Sequence, residues 1–221
     1  MSKSMLTFLG RSSGFGLKNT SAFIDLGNRL ILIDCGITVF PMAIEVFDFS
    51  KYDDIDIIIT HLHPDHAGSL GQLIMYLGYV VHKNVNVLSA CKEIRTFLDI
   101  SGVDSALYNQ KNNCISGLQF IPTKHVDQLD SYGFKLQIEG KTILYTGDTK
   151  TLAPFLPYVN EADEFYVEAS CTGGVHLKIT DILDTLEGIQ LCGTKVYLMH
   201  IDDESKMSEI VKGSIEFAPL I

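Results

Sequence analysis

The sequence predicts an α/β fold built from two similar halves packed sheet to sheet, with helices outside, on three observations. Short apolar runs of strand character alternate with segments of helical period. Two hairpins, Phe23 to Ile33 and Phe134 to Tyr145, share a layout. One strand, Asp56 to Thr60, runs straight into the cluster His61-Leu62-His63-Pro64-Asp65-His66, where such a fold would carry a site on the rim of its sheet.

The elements follow in order. Leu6 to Leu9 reads as a first strand, and the glycine-rich run Gly10 to Gly16 precedes no helical pattern, so it reads as a rim loop and not a phosphate loop. Ser21 to Leu26, a turn at Gly27-Asn28, and Leu30 to Gly36 form a hairpin; its second run is apolar on both faces, as a buried strand is. Phe40 to Phe49 reads as a helix carrying Pro41, and Gly68 to Tyr79 as one with Leu70, Leu73, Ile74 and Leu77 on one face. His82 falls in a charged, exposed turn. Val85 to Leu88 is a strand, Ala90 to Ile100 a helix closed by Ser101-Gly102, and the polar stretch Val103 to Asn113 a loop or irregular helix near the site. Gln119 to Pro122 is a strand leading to His125, and Phe134 to Ile138 with Ile143 to Tyr145 the second hairpin. Leu152 to Tyr158, with two prolines, is a short broken helix; Glu164 to Ser170 is a strand. Thr180 to Gly188 is a helix with Ile182, Leu183 and Leu186 inward. Val196 to Met199, Ser205 to Val211 and Ser214 to Phe217 close the chain as strand, helix and edge strand.

Three of only 7 histidines fall within six positions, beside an aspartate, which points to a metal site. In an extended exit from the strand, His61 and His63 can point the same way and grip one ion, while Asp65 and His66, at the mouth of the next helix, face a second. Asp34 reads equally as a turn carboxylate or as the acceptor behind a metal-binding histidine.

Composition bounds the rest. With 221 residues, 46% hydrophobic and 20% charged, the chain reads as one domain over 1–221. A formal charge of −10 excludes a broad basic surface for nucleic acid. The N-terminus lacks the apolar length of a secretory signal and no long apolar run follows, so a cytoplasmic protein with no membrane partner is expected. Cys35, Cys91, Cys114, Cys171 and Cys192 are odd in number and without paired spacing, as for reduced thiols.

His61-x-His63-x-Asp65-His66, then His125, Tyr145-Thr146-Gly147-Asp148-Thr149 and a late strand ending Leu198-Met199-His200 resemble the metallo-β-lactamase-fold metallohydrolase superfamily, in the same order. The resemblance implies a four-layer αββα sandwich of two mixed sheets with the site at their shared edge. It implies seven ligands, His61, His63, Asp65, His66, His125, Asp148 and His200, for two divalent ions, with Asp148 between them. Nitrogen and oxygen donors make zinc the default, with manganese or iron as alternatives.

Asn19-Thr20-Ser21, Asp34-Cys35-Gly36, Tyr132-Gly133-Phe134 and Glu168-Ala169-Ser170 are similar to the phosphodiesterase branch that holds tRNase Z and the phosphoribosyl cyclic phosphodiesterases. His176 lies where tRNase Z-like proteins carry a His-Ser-Thr segment. Val167, however, stands where tRNase Z has a catalytic histidine, and His125 and Asp148 are only 23 positions apart, too close for a long tRNA-gripping arm. A small-molecule phosphodiester or cyclic phosphate is therefore the expected substrate, and tRNA is not. The resemblance implies attack by a metal-bridging hydroxide that Asp65 orients, with His176 or Glu168 protonating the leaving oxygen. The same ligands would also serve a thioester or lactone hydrolase, and Val167 leaves room for a metal-binding module without catalysis. A homodimer stays open.

Overall fold

Side chains alternate along a strand, and this alternation sorts the core into layers. In β3 (Arg29–Ile33), Leu30 and Leu32 point into an apolar layer with Ala43, Leu70, Leu73, Ile94 and Leu98, while Ile31 and Ile33 point into a second layer with Phe134, Ile143, Tyr145 and Tyr166. The other half does the same. In β10 (Glu164–Glu168), Phe165 and Val167 join Leu186 and Met207 in a third layer, and Tyr166 faces back to the second.

The computed structural model describes residues 4–110 and 115–221; Cys114 and the last three positions of the polar stretch 103–113 lie outside the described residues. The first sheet runs β1 (Thr7–Gly10), β2 (Ser21–Asp25), β3, β4 (Asp54–Ile58), β5 (Val85–Leu88), β6 (Tyr108–Gln110). The second runs β12 (Glu216–Phe217), β11 (Lys195–Met199), β10, β9 (Lys141–Tyr145), β8 (Tyr132–Ile138), β7 (Leu118–Pro122). In each, the first three strands in chain order pair antiparallel and the later ones parallel, so the hairpin echo marks a repeat of whole half-sandwiches. Helices α1 (Val39–Val46), α3 (Leu70–Tyr76) and α4 (Ile94–Ile100) cover the first sheet, and α5 (Ile179–Leu191) and α6 (Glu204–Val211) the second. This is the expected αββα sandwich.

Several boundaries differ from expectation, for local reasons. The first helix stops at Val46, with Pro41 in its opening turn, where a missing N–H is no loss. The strand expected over 56–60 lies two residues earlier, because Thr60 gives its N–H to Asp34 Oδ1 (2.8 Å) and not to the ladder. The helix expected over 68–79 is α3, shortened to Leu70–Tyr76 and followed by a wider turn over Leu77–Val81, and a separate short helix, α2 (Pro64–Ala67), precedes it. The helix expected from Ala90 begins only at Ile94, and that expected over Leu152–Tyr158 becomes a tight turn over Leu156–Glu161. Within the stretch read as a loop, Tyr108–Gln110 adds a parallel edge strand to β5. Among the described residues no helix is long and apolar enough to cross a membrane.

Candidate metal centre

The site is built where strands of both sheets end. After β3 the chain turns through Asp34 at φ 60°, a left-handed conformation that costs a residue with a Cβ and that clusters at functional positions. Its buried carboxylate accepts from Thr60 N and Thr60 Oγ1 and lies 2.8 Å from His66 Nδ1. Asp34 is thereby placed to orient the His66 ring as well as to turn the chain. Thr60 Oγ1 in turn lies 3.1 Å from His61 Nδ1. Because one ring nitrogen of each histidine is engaged behind it, the other, Nε2, is aimed at the cleft.

The second half answers from four strand ends. His125 follows β7 and donates through Nδ1 to the Val175 carbonyl (2.9 Å), which again leaves Nε2 forward. Asp148 follows β9 after Gly147, where φ is +55° and a Cβ would stand 2.5 Å from the Tyr132 carbonyl oxygen, so only glycine fits. Glu168 ends β10. His200 follows β11 directly, also left-handed at φ 53°.

All seven expected ligands converge, in two groups that share Asp148. His63 Nδ1 lies 3.0 Å from His61 Nε2 and 3.2 Å from His125 Nε2, with Asp148 Oδ2 3.8 and 3.6 Å from the latter two. Asp65 Oδ2 lies 3.2 Å from both His66 Nε2 and His200 Nε2, and Asp148 reaches these at 3.3 and 3.6 Å. Within each group the ligand atoms lie within 4.8 Å of one another.

The chemistry of this set fits a cation. His66 Nε2 and Asp148 Oδ1, 3.3 Å apart, are buried and neither makes a hydrogen bond, a state that buried polar atoms avoid unless a bound group satisfies them. Burial holds His61, His63 and His125 below the usual imidazole pKa, so all three are neutral donors at pH 7. Burial pushes the Asp148 carboxyl up, but the His200 and His66 rings outweigh it and hold it well below the carboxylate range. His66 is the exception: burial lowers its pKa, but Asp148 and Asp34 outweigh this and raise it well above the usual imidazole value, so a cation binding there must displace its proton. Divalent metal binding is what this cluster suits.

Beside the ligands stands a third group, Glu168, His176 and His200. Glu168 is fully buried, accepts from Thr149 N (2.7 Å) and lies 3.0 Å from His176 Nδ1. Burial lowers the His176 pKa, but the Glu168 carboxylate overcomes this and lifts it to about 9. His82, as expected, is exposed. Sequence reasoning missed three supports: the Thr60 hydroxyl, the Val175 carbonyl, and Asp202, which accepts from Ser170 Oγ (2.8 Å) and Cys171 N (2.9 Å) and ties down the loop carrying His176. Of these, only Thr60 carried a signal, its place between the strand and His61. Cys35, Cys91, Cys171 and Cys192 are free thiols.

The family model described as anti-Pycsar protein Apyc1 matches residues 4–99 and 89–219. The anti-Pycsar protein Apyc1 of Bacillus phage 010DV004 is 26% identical over 247 residues, covering 96% of this chain and 95% of its own. Among solved structures, the metallo-β-lactamase-fold protein YhfI from Bacillus subtilis superposes with a TM-score of 0.76 at 18% identity, over 98% of this chain and 95% of that one. A diphosphatase of the PhnP family superposes with a TM-score of 0.69 at 16% identity, over 97% and 94%. The fold is thus the metallo-β-lactamase fold.

Proposed function

The chain belongs to the family of anti-Pycsar protein Apyc1, and from that premise we propose that it is a dinuclear metal-dependent phosphodiesterase acting on a small phosphodiester or cyclic phosphate. The observation that carries this reading is the pair of ligand groups joined through Asp148 with His176 beside them. His61, His63 and His125 would hold one ion and Asp65, His66 and His200 the other, with Asp148 serving both. Bound divalent ions, zinc by donor type with manganese or iron as alternatives, would bring the pKa of water near neutrality and polarise the phosphoryl oxygens.

The chain's own residues do the rest. His176 carries its proton at pH 7 and stands 3.7 Å from Asp148 Oδ2, so it is the group placed to protonate the leaving oxygen. Glu168, buried and engaged on several sides, holds the His176 ring by Nδ1 and is a positioning residue instead of a second acid. Asp65, partly exposed at the cleft, orients the attacking water. A substrate small enough to need no long arm agrees with the short connection from His125 to Asp148.

The test is a panel of cyclic nucleotides, bis-p-nitrophenyl phosphate, thioesters and lactones on the zinc- or manganese-loaded protein. Turnover confined to the phosphodiesters, and lost in Asp148→Ala, is expected. Turnover of a thioester or lactone without any phosphodiester would replace the reading, and bound metal with no turnover at all would leave a metal-binding module.

A further inference from the structure

The loop that carries His176, between the end of β10 and α5, depends on outside support to keep one shape. Gly173 and Gly174 both take left-handed φ, 83° and 84°, where glycine is the residue with most freedom to lose. At its base, Ser170 N donates to the Leu177 carbonyl (2.8 Å) and Ile179 N to the Ser170 carbonyl (2.9 Å). Beyond that base the chain folds onto a single atom, Ser170 Oγ, which accepts from Thr172 N and Gly173 N at 3.0 Å each. Ser170 Oγ in turn donates to Asp202 Oδ2 (2.8 Å), while Cys171 N donates to Asp202 Oδ1 (2.9 Å).

Asp202 stands on a fixed corner, two residues after His200. Before it, Ile201 N donates to the Arg11 carbonyl (2.9 Å) and the Ile201 carbonyl accepts from Ser13 N (3.0 Å). After it, Asp203 caps α6 by accepting from Lys206 N (2.9 Å), and Met207 and Val211 bury one side of that helix. One carboxylate therefore ties a glycine-bearing loop to an anchored strand end. The far limb of the loop meets the site through the Val175 carbonyl, which accepts from His125 Nδ1, and through His176 Nδ1, 3.0 Å from Glu168 Oε2. Glu168 also accepts from Leu177 N (3.4 Å), so it holds the limb that leads into α5. Among the described residues, the hydrogen bonds that leave the loop from the β10 limb go to Asp202 and, from Cys171 Sγ, to the Asp203 carbonyl (3.7 Å).

We propose that Asp202 is a positioning residue for His176: through Ser170 Oγ and Cys171 N it clasps the loop in the arrangement that sets the imidazole against the Asp148 corner of the cleft. The inference rests on the phosphodiesterase reading above and adds to it a residue that lies outside both ligand groups. Preorganisation is the physical reason such a residue matters, because a displacement of about 1 Å at a reacting group costs about 100-fold in rate.

Asp202 is exposed, so its truncation opens no cavity in the core. At saturating zinc or manganese, Asp202→Ala should lower kcat for a cyclic nucleotide about 10 to 100-fold with KM within about twofold, and should cost much less when the leaving group is p-nitrophenolate. The decisive comparison is with His176→Ala. Once the imidazole is gone the clasp has nothing to position, so the double variant should be no slower than His176→Ala alone. Amide hydrogen exchange over residues 170–176 of the metal-free protein should quicken in Asp202→Ala while the rest of the chain keeps its protection, a readout that needs no turnover. An unchanged kcat, a loss that persists in full beside His176→Ala, or a loss that added metal restores would overturn the positioning role and leave the phosphodiesterase reading standing. A parent chain that turns over no phosphodiester would remove that reading, and exchange would then decide the clasp: quickening confined to the loop would support it, and unchanged exchange would overturn it.

Discussion

The two halves of the sandwich share a topology but supply the site differently. The first half gives four candidate ligands, His61, His63, Asp65 and His66, from the single connection after β4. The second gives one side chain per strand end, with His125 after β7, Asp148 after β9, Glu168 at β10 and His200 after β11. A local cluster is fixed by one short loop and its supports, Thr60 and Asp34. A distributed set depends on the register of a whole sheet. In the proposed reading the first half would supply most of the ion-holding side chains, and the second would complete both groups, join them through Asp148 and add the proton chemistry.

Asp148, among the described residues the one second-half residue shared by both candidate ligand groups, offers the sharpest way to break this division. Asp148→Ala should cost at least about 10³-fold in kcat, equivalent to several kcal/mol of transition-state stabilisation, and metal content measured on the same sample should fall with it. Full activity with two ions still bound would deny Asp148 its joining role.

Next in size, His176→Ala should lower kcat by about 10² to 10³-fold with metal content unchanged, since the ring protonates a leaving group and holds no ion in this account. A substrate whose leaving group is p-nitrophenolate, which needs little protonation, should lose much less. Equal losses on both substrates would make His176 structural.

Asp34→Asn should act on the first half alone, weakening metal affinity by about 10 to 100-fold through His66, whose Nδ1 it faces at 2.8 Å. Zinc competition with a chromophoric chelator reads this directly. An unchanged affinity would return Asp34 to the role of a turn carboxylate.

The smallest effect is on stability against pH in the metal-free chain. Glu168 and burial together set the His176 pKa at about 9, above the unfolded value near 6.5. The raised value means this contribution to stability is complete below about pH 6.5 and is lost as pH climbs through about 9. Tm measured between these limits should fall more steeply in the parent chain than in Glu168→Gln; parallel curves would remove Glu168 as the cause.

The same contrast explains what was legible in the sequence. The cluster after β4 could be read because its ligands are neighbours along the chain, and the strand that aims them is a plain apolar run. His125, Asp148 and His200 are single residues at turns, and only their order within a familiar pattern marked them. Thr60 displaced the end of β4 because a buried carboxylate took its N–H, a tertiary event with no local trace. The edge strand Tyr108–Gln110 was missed because its last two residues are exposed and its partner, Val85 onward, lies far back in the chain. The Val175 carbonyl behind His125 is backbone, and no residue type signals it.

Zinc titrated calorimetrically into the stripped protein puts the central claim to the most direct test. Two equivalents should bind to the parent chain, one should persist in His200→Ala, and both should weaken in Asp148→Ala. A single equivalent, or none, in the parent chain would contradict the convergence of the two halves on a pair of ions.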